Sequence, residues 1–103
     1  MTDLQQIDFH DFIQKNVLAL VDFYAPWCGP CKAMAPAIDS LAQEFNSQVA
    51  IAKVNIDEAP NLGEELSIRA VPTIIFFKNG VAVETLTGAR TKAELTEKLR
   101  SLS

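Results

Sequence analysis

Both cysteines of the chain fall within six residues, Trp27-Cys28-Gly29-Pro30-Cys31-Lys32. Two intervening residues let the sulfurs meet once a first turn of helix has formed, so the pair reads as a reversible dithiol/disulfide. The thiolate is the nucleophilic form of cysteine, and the unpaired N–H groups and positive dipole end of a helix N-terminus stabilise it. Cys28 lies nearer that end and is expected to be the more exposed, attacking sulfur. Its attack on a substrate disulfide would give a mixed disulfide, which Cys31 resolves by attacking Cys28, leaving Cys28–Cys31 oxidised. Gly29 and Pro30 bring no charge and no donor side chain to the thiolate. The reduced form is then only moderately stabilised, and the dithiol is expected to act as a reductant.

A second group with chemical potential is Asp22, the one charge in the apolar run Val17-Leu18-Ala19-Leu20-Val21-Asp22-Phe23-Tyr24. A buried carboxylate is costly and calls for a partner or a raised pKa. Placed shortly before the motif, Asp22 is suited to take the proton from Cys31 while the mixed disulfide resolves. Lys53 is equally out of place in Val49-Ala50-Ile51-Ala52-Lys53-Val54. On a neighbouring strand it would pair with Asp22; the alternative is a lysine that snorkels off the sheet edge.

The elements that must hold these groups follow from periodicity. Leu4 and Ile7 suggest a short first strand, and Asp8 an N-cap for a helix with Phe9, Phe12 and Ile13 on one face. Val17–Tyr24 is apolar on both faces, hence a central strand. Met34, Ile38, Leu41 and Phe45 recur at helical spacing from about Cys28 onward, with Pro30 tolerated in the first turn. Val49–Ile56 is a second buried strand, giving a right-handed βαβ unit. Leu62 and Leu66 mark a short helix, and Thr73–Phe77 another strand. Asn79-Gly80 signals a hairpin into Val81–Thr87. Thr91 and Glu94 form a capping box for a last helix bearing Leu95, Leu99 and Leu102. The pattern βαβαβαββα is an α/β fold: a central mixed five-stranded sheet flanked by four helices, in a single domain spanning 1–103.

Composition narrows the function classes. A length of 103 residues at 49% hydrophobic supports one real core. A net charge of −4 argues against nucleic-acid binding. Two closely spaced cysteines are too few for a disulfide scaffold. Structural zinc needs four ligands, and beyond the cysteines only His10, on the early helix, is on offer, so no metal is expected. The first six residues carry no positive charge and no apolar block, and no run is long enough to span a bilayer. The expectation is a cytoplasmic monomer with no membrane association.

With the motif on a strand-to-helix turn inside this pattern, the chain resembles the thioredoxin family over essentially its whole length. Val21 to Lys32 resembles the family's active-site stretch almost residue for residue, Arg69-Ala70-Val71-Pro72-Thr73 its second landmark, and Phe77-Lys78-Asn79-Gly80 its hairpin. Tyr24 stands where many members carry tryptophan, Ala70 where glycine is frequent, and Pro26 where some carry an acid. The resemblance implies a thioredoxin fold and a general protein-disulfide reductase, a redox carrier with catalytic Cys28, Cys31, Asp22 and Lys53. It implies a cis Val71–Pro72 bond beside the cysteines, although a plain strand-start proline would also explain Pro72. A docking surface formed by Trp27, Gly29, Pro30, Ala70, Val71, Pro72 and Gly88 follows, with the Val71 backbone pairing an extended client segment. Its partners would be disulfide-containing client proteins and a thioredoxin reductase drawing on NADPH or ferredoxin. No bound cofactor is implied beyond the redox-active disulfide itself. A zinc module, a non-catalytic interaction module and an oxidase or isomerase are the competing readings; the intact dithiol and the Gly29-Pro30 pair weigh against the last two.

Overall fold

A computed structural model describes residues 2–5 and 8–103. In chain order it contains β1 (Thr2–Asp3), α1 (Phe9–Lys15), β2 (Leu18–Tyr24), α2 (Gly29–Glu44), β3 (Ala50–Asn55), α3 (Pro60–Glu65), β4 (Thr73–Lys78), β5 (Val81–Thr87) and α4 (Lys92–Leu102). The strands form one five-stranded sheet in the order β1-β3-β2-β4-β5. β3 runs parallel to both β1 and β2, whereas β4 is antiparallel to β2 and β5. β2 is therefore the central strand, as its unbroken apolar character requires.

The side-chain alternation of each strand feeds two separate cores. On one face Ala19, Val21 and Phe23 of β2 meet Phe9, Phe12 and Ile13 of α1 and Leu62 of α3. The rings of Phe9 and Phe77 cross edge-on at 5.5 Å between centroids. On the other face Leu18 and Leu20 meet Met34, Ile38 and Leu41 of α2 and Leu95 and Leu99 of α4. Burying each such side chain favours folding by roughly 1.5–3 kcal/mol, so the two faces dominate stability.

Local signals set the ends of most elements. Asn79 and Gly80 take φ of 53° and 81°, the positive-φ pair that a two-residue hairpin demands. Thr91 Oγ1 accepts the Glu94 N–H at 3.1 Å and the Glu94 carboxylate accepts the Thr91 N–H at 3.1 Å, completing the expected box. The first segment departs from expectation. The strand is Thr2–Asp3, with Leu4 extending it only through its N–H to the Lys53 carbonyl at 2.8 Å. Ile7 lies outside the described residues. Asp8 occupies the N-cap position of α1, yet its side chain makes no cap bond. Its backbone (φ −92°, ψ −17°) is already near-helical, and side-chain capping needs an extended residue.

Candidate active site

The turn after β2 delivers the motif to the start of α2. Ala25 is buried, its carbonyl accepting the Cys28 N–H at 3.1 Å, and Cys28 then becomes the N-cap with an extended backbone (φ −86°, ψ 112°). Its Sγ accepts the Cys31 N–H at 3.1 Å, so the sulfur itself occupies the place of a capping oxygen. Pro30 is in the first turn, where its missing N–H leaves nothing unpaired. Cys28 and Cys31 are joined as a disulfide, with Cα atoms 5.3 Å apart.

Burial does not separate the two sulfurs as expected. Cys28 is 4% exposed and Cys31 5%. Both pack with Ala25 in a small cluster covered by Tyr24, Ile56 and Val71, and this cover removes the exposure that the helix end alone would give Cys28. What does distinguish them is position: Cys28 caps α2, whereas Cys31 lies inside the first turn and lines a cavity beneath it.

That cavity, of about 330 Å³, is shared by Cys31, Asp22, Tyr24, Ile38, Asp39 and Lys53 among others. Asp22 is 4% exposed, and its Oδ1 has no hydrogen-bond partner. Burial pushes its carboxyl up from 3.8 to about 7, with the positive charge of Lys53 pulling in the opposite direction. Lys53 is the register partner of Asp22 across β2 and β3. Its Nζ lies 5.4 Å from the centre of the Tyr24 ring. Lys53 is half-buried and lines the cavity beside Asp22.

The second landmark arrives from β4. Because β4 is antiparallel to β2, the start of β4 and the end of β2 lie at the same end of the sheet. The Val71–Pro72 peptide is cis. Val71 packs on the disulfide cluster, and neither of its backbone groups has a backbone partner among the described residues. Ala70 is exposed, with its carbonyl accepting the Thr73 hydroxyl at 2.7 Å. Gly88, at φ 93°, donates its N–H to the Pro72 carbonyl at 2.9 Å, which brings the end of β5 to the same place. Gly29 and Pro30 are exposed beside the cysteines. Trp27 is 69% exposed, its indole N–H bonded to the Asp57 carboxylate at 3.0 Å.

Sequence reasoning missed Asp57 and Ile56, which follow β3 and join this surface. Nothing in their types marks them; only the parallel pairing of β3 with β2 brings that loop beside the motif. Sequence reasoning also left Tyr24 without a role. His10 pairs with Glu65 at 3.2 Å, tying α1 to α3. Among the described residues no three His, Cys, Asp or Glu side chains converge as a metal site, and no helix is long and apolar enough to cross a membrane.

Known proteins resemble the chain in sequence and in fold. The sequence model of the family described as thioredoxin matches residues 1–101. The chain is 44% identical over 98 residues to Thioredoxin M-type, chloroplastic, of Spinacia oleracea, a match covering 94% of this chain and 54% of that protein. It is 43% identical over 89 residues to Thioredoxin 1 of Synechococcus elongatus, covering 86% and 83%. It thus spans about half the length of the spinach protein and most of the cyanobacterial one. Among solved structures, Plasmodium falciparum thioredoxin superposes over the whole of both chains with a TM-score of 0.92 at 33% identity. The oxidised form of mitochondrial thioredoxin 3 from Saccharomyces cerevisiae gives 0.88 at 32%, over 98% of this chain and 94% of that one. In sequence and in fold, the chain belongs to the thioredoxin family.

Proposed function

We propose that the chain is a general protein-disulfide reductant, a thiol-disulfide oxidoreductase that exchanges two electrons through Cys28 and Cys31. The observation that carries this reading is the disulfide at the N-cap of α2 with a buried carboxyl, Asp22, sharing a cavity with its inner sulfur. In the reduced protein the Cys28 thiolate, stabilised by the helix end, attacks a client disulfide. One client sulfur leaves as thiolate, and the other is held in a mixed disulfide. Asp22, with a pKa near 7, takes the proton from the Cys31 thiol. The Cys31 thiolate then attacks Cys28 Sγ, and the second client sulfur departs. The client gains two electrons and the protein closes its disulfide. Lys53 restrains the rise in the Asp22 pKa and so keeps part of the carboxyl ionised at neutral pH.

Docking would use the exposed rim. An extended client segment would pair with the unpartnered Val71 backbone beside Pro72 and Gly88, with Ala70 leaving the approach open. Trp27, Gly29 and Pro30 would border the other side of the sulfurs. A monomer suffices for this chemistry, with no bound cofactor; a thioredoxin reductase would restore the dithiol. The chemistry needs a reducing compartment. The spinach relative is named chloroplastic, so the proposed setting is a reducing one in general, a plastid included, rather than the cytoplasm alone.

Reduction of insulin disulfides driven by dithiothreitol tests the reading. Wild type should accelerate precipitation of the freed insulin chains, and Cys31→Ser should stop after one attack with a mixed disulfide trapped on Cys28. A folded wild type that gives no acceleration would overturn the reductant reading and leave a module that only holds partners.

A further inference from the structure

Asp22 and Tyr24 are two residues apart on β2, so their side chains leave the same face of the sheet. Lys53 comes to that face from β3, opposite Asp22 in register. All three line the cavity that reaches Cys31. We propose that Tyr24 is a positioning residue of the redox site: its ring face holds the Lys53 ammonium at the cavity wall, where that charge acts on Asp22. The proposal rests on the reading of Asp22 as the proton acceptor for Cys31.

The reason such a holder is needed lies in the nature of lysine. Its head group is strongly hydrated and rides on a flexible four-carbon stem, so at a half-buried position it turns to water unless something fixes it. An aromatic face within about 6 Å attracts the cation through the ring quadrupole. The Lys53 Nζ to Tyr24 centroid distance is 5.4 Å, inside that range. Tyr24 is itself partly buried against the disulfide cluster, which keeps the ring in place.

The other charges near Asp22 cannot take over this role. From α2, the cavity is lined by Cys31, Lys32 and Asp39. Lys32 and Asp39 are exposed and opposite in sign, so solvent screens them and their effects on Asp22 oppose one another. From β4 the register partner of Asp22 is the uncharged Ile74. From β1, Asp3 is paired in register with Lys53 rather than with Asp22. Lys53 is the charge that offsets the burial of Asp22, and the Tyr24 ring lies against its ammonium.

Carbon-detected NMR of the Asp22 carboxyl, recorded across neutral pH on the oxidised protein, tests this without interference from cysteine titration. Tyr24→Leu should move the Asp22 midpoint upward by roughly half a pH unit, since a held charge is released. Lys53→Met should move it upward at least as far, and adding Tyr24→Leu to Lys53→Met should change nothing more. Tyr24→Trp, which keeps a ring, should leave the midpoint unchanged or lower it. No shift, a downward shift, or an equal shift in the Lys53→Met background would overturn the proposal. Wild type alone gives an independent check: the Lys53 ε-protons should show an upfield ring-current shift, and its absence would count equally against Tyr24. Slowing of the Cys31 step by Asp22→Asn is a separate measurement. Should that step be unaffected, Asp22 loses its proton role while the coupling of Tyr24, Lys53 and Asp22 stands.

Discussion

Asp22 couples the stability of the fold to pH. Its carboxyl ionises near 7 in the folded protein against an ordinary value of 3.8, so the native state binds the proton more tightly than the unfolded chain. The stability linked to that proton is fully present below about 3.8 and is lost as pH rises through about 7, on the order of 4 kcal/mol in all. Asp22→Asn should therefore flatten the fall in stability between pH 4 and 8 and make the protein more resistant to guanidinium at pH 8. Denaturation curves at several pH values check this, and a variant no more stable than wild type at pH 8 would contradict it. That Asp22 is out of place was legible in the sequence, because it is the lone acid in the eight-residue run Val17 to Tyr24. That its Oδ1 would lack a partner was not legible, since Lys53 reads as a natural ion-pair mate until the Tyr24 ring is seen near its ammonium. The relative burial of Cys28 and Cys31 was misjudged for a similar reason. Cover from Val71, 40 and more residues later in the chain, is invisible from the local motif.

Elements were read well wherever periodicity and end signals agreed. β5 begins and ends at the expected residues, Val81 and Thr87, because the hairpin and Gly88 bracket it. The capping box of α4 was legible for the same reason, and its contribution can be measured. Thr91→Ala should cost about 1 kcal/mol in denaturant unfolding, with the slope of the transition unchanged; a loss below a few tenths would mean that the box contributes little. Asp8 shows the limit of such signals. Its type suits an N-cap as well as that of Thr91, but the two backbones differ, at φ −92°, ψ −17° against φ −78°, ψ 160°. Only the extended one lets a side-chain oxygen turn back to the helix N–H groups. Sequence names the residue, whereas the path of the preceding chain decides whether it caps.

At the scale of the whole molecule, one sheet divides two cores that share no helix: α1 and α3 pack on one face, α2 and α4 on the other. Phe9→Ala and Leu99→Ala remove fully buried side chains from opposite faces. Each should destabilise substantially, by about 3–5 and about 2–5 kcal/mol. In a milder pair, Ile13→Val with Leu99→Met, the losses should add to within about 0.5 kcal/mol; a larger coupling term would show that strain passes through the sheet. The mixed five-stranded topology was legible from the order and character of the runs. The gathering of Trp27, Val71, Pro72 and Gly88 at one end came from family likeness rather than from spacing, because only the antiparallel pairing of β2 with β4 makes those residues neighbours.

The chain holds two cysteines, and the one disulfide engages both. Closed, the molecule has no spare thiol with which to link to a second copy, shuffle its pairing or capture a stray disulfide. Open, it has two, and any exchange that completes consumes both. Dithiol–disulfide exchange through this pair thus leaves the chain only a closed and an open state, and moves electrons two at a time.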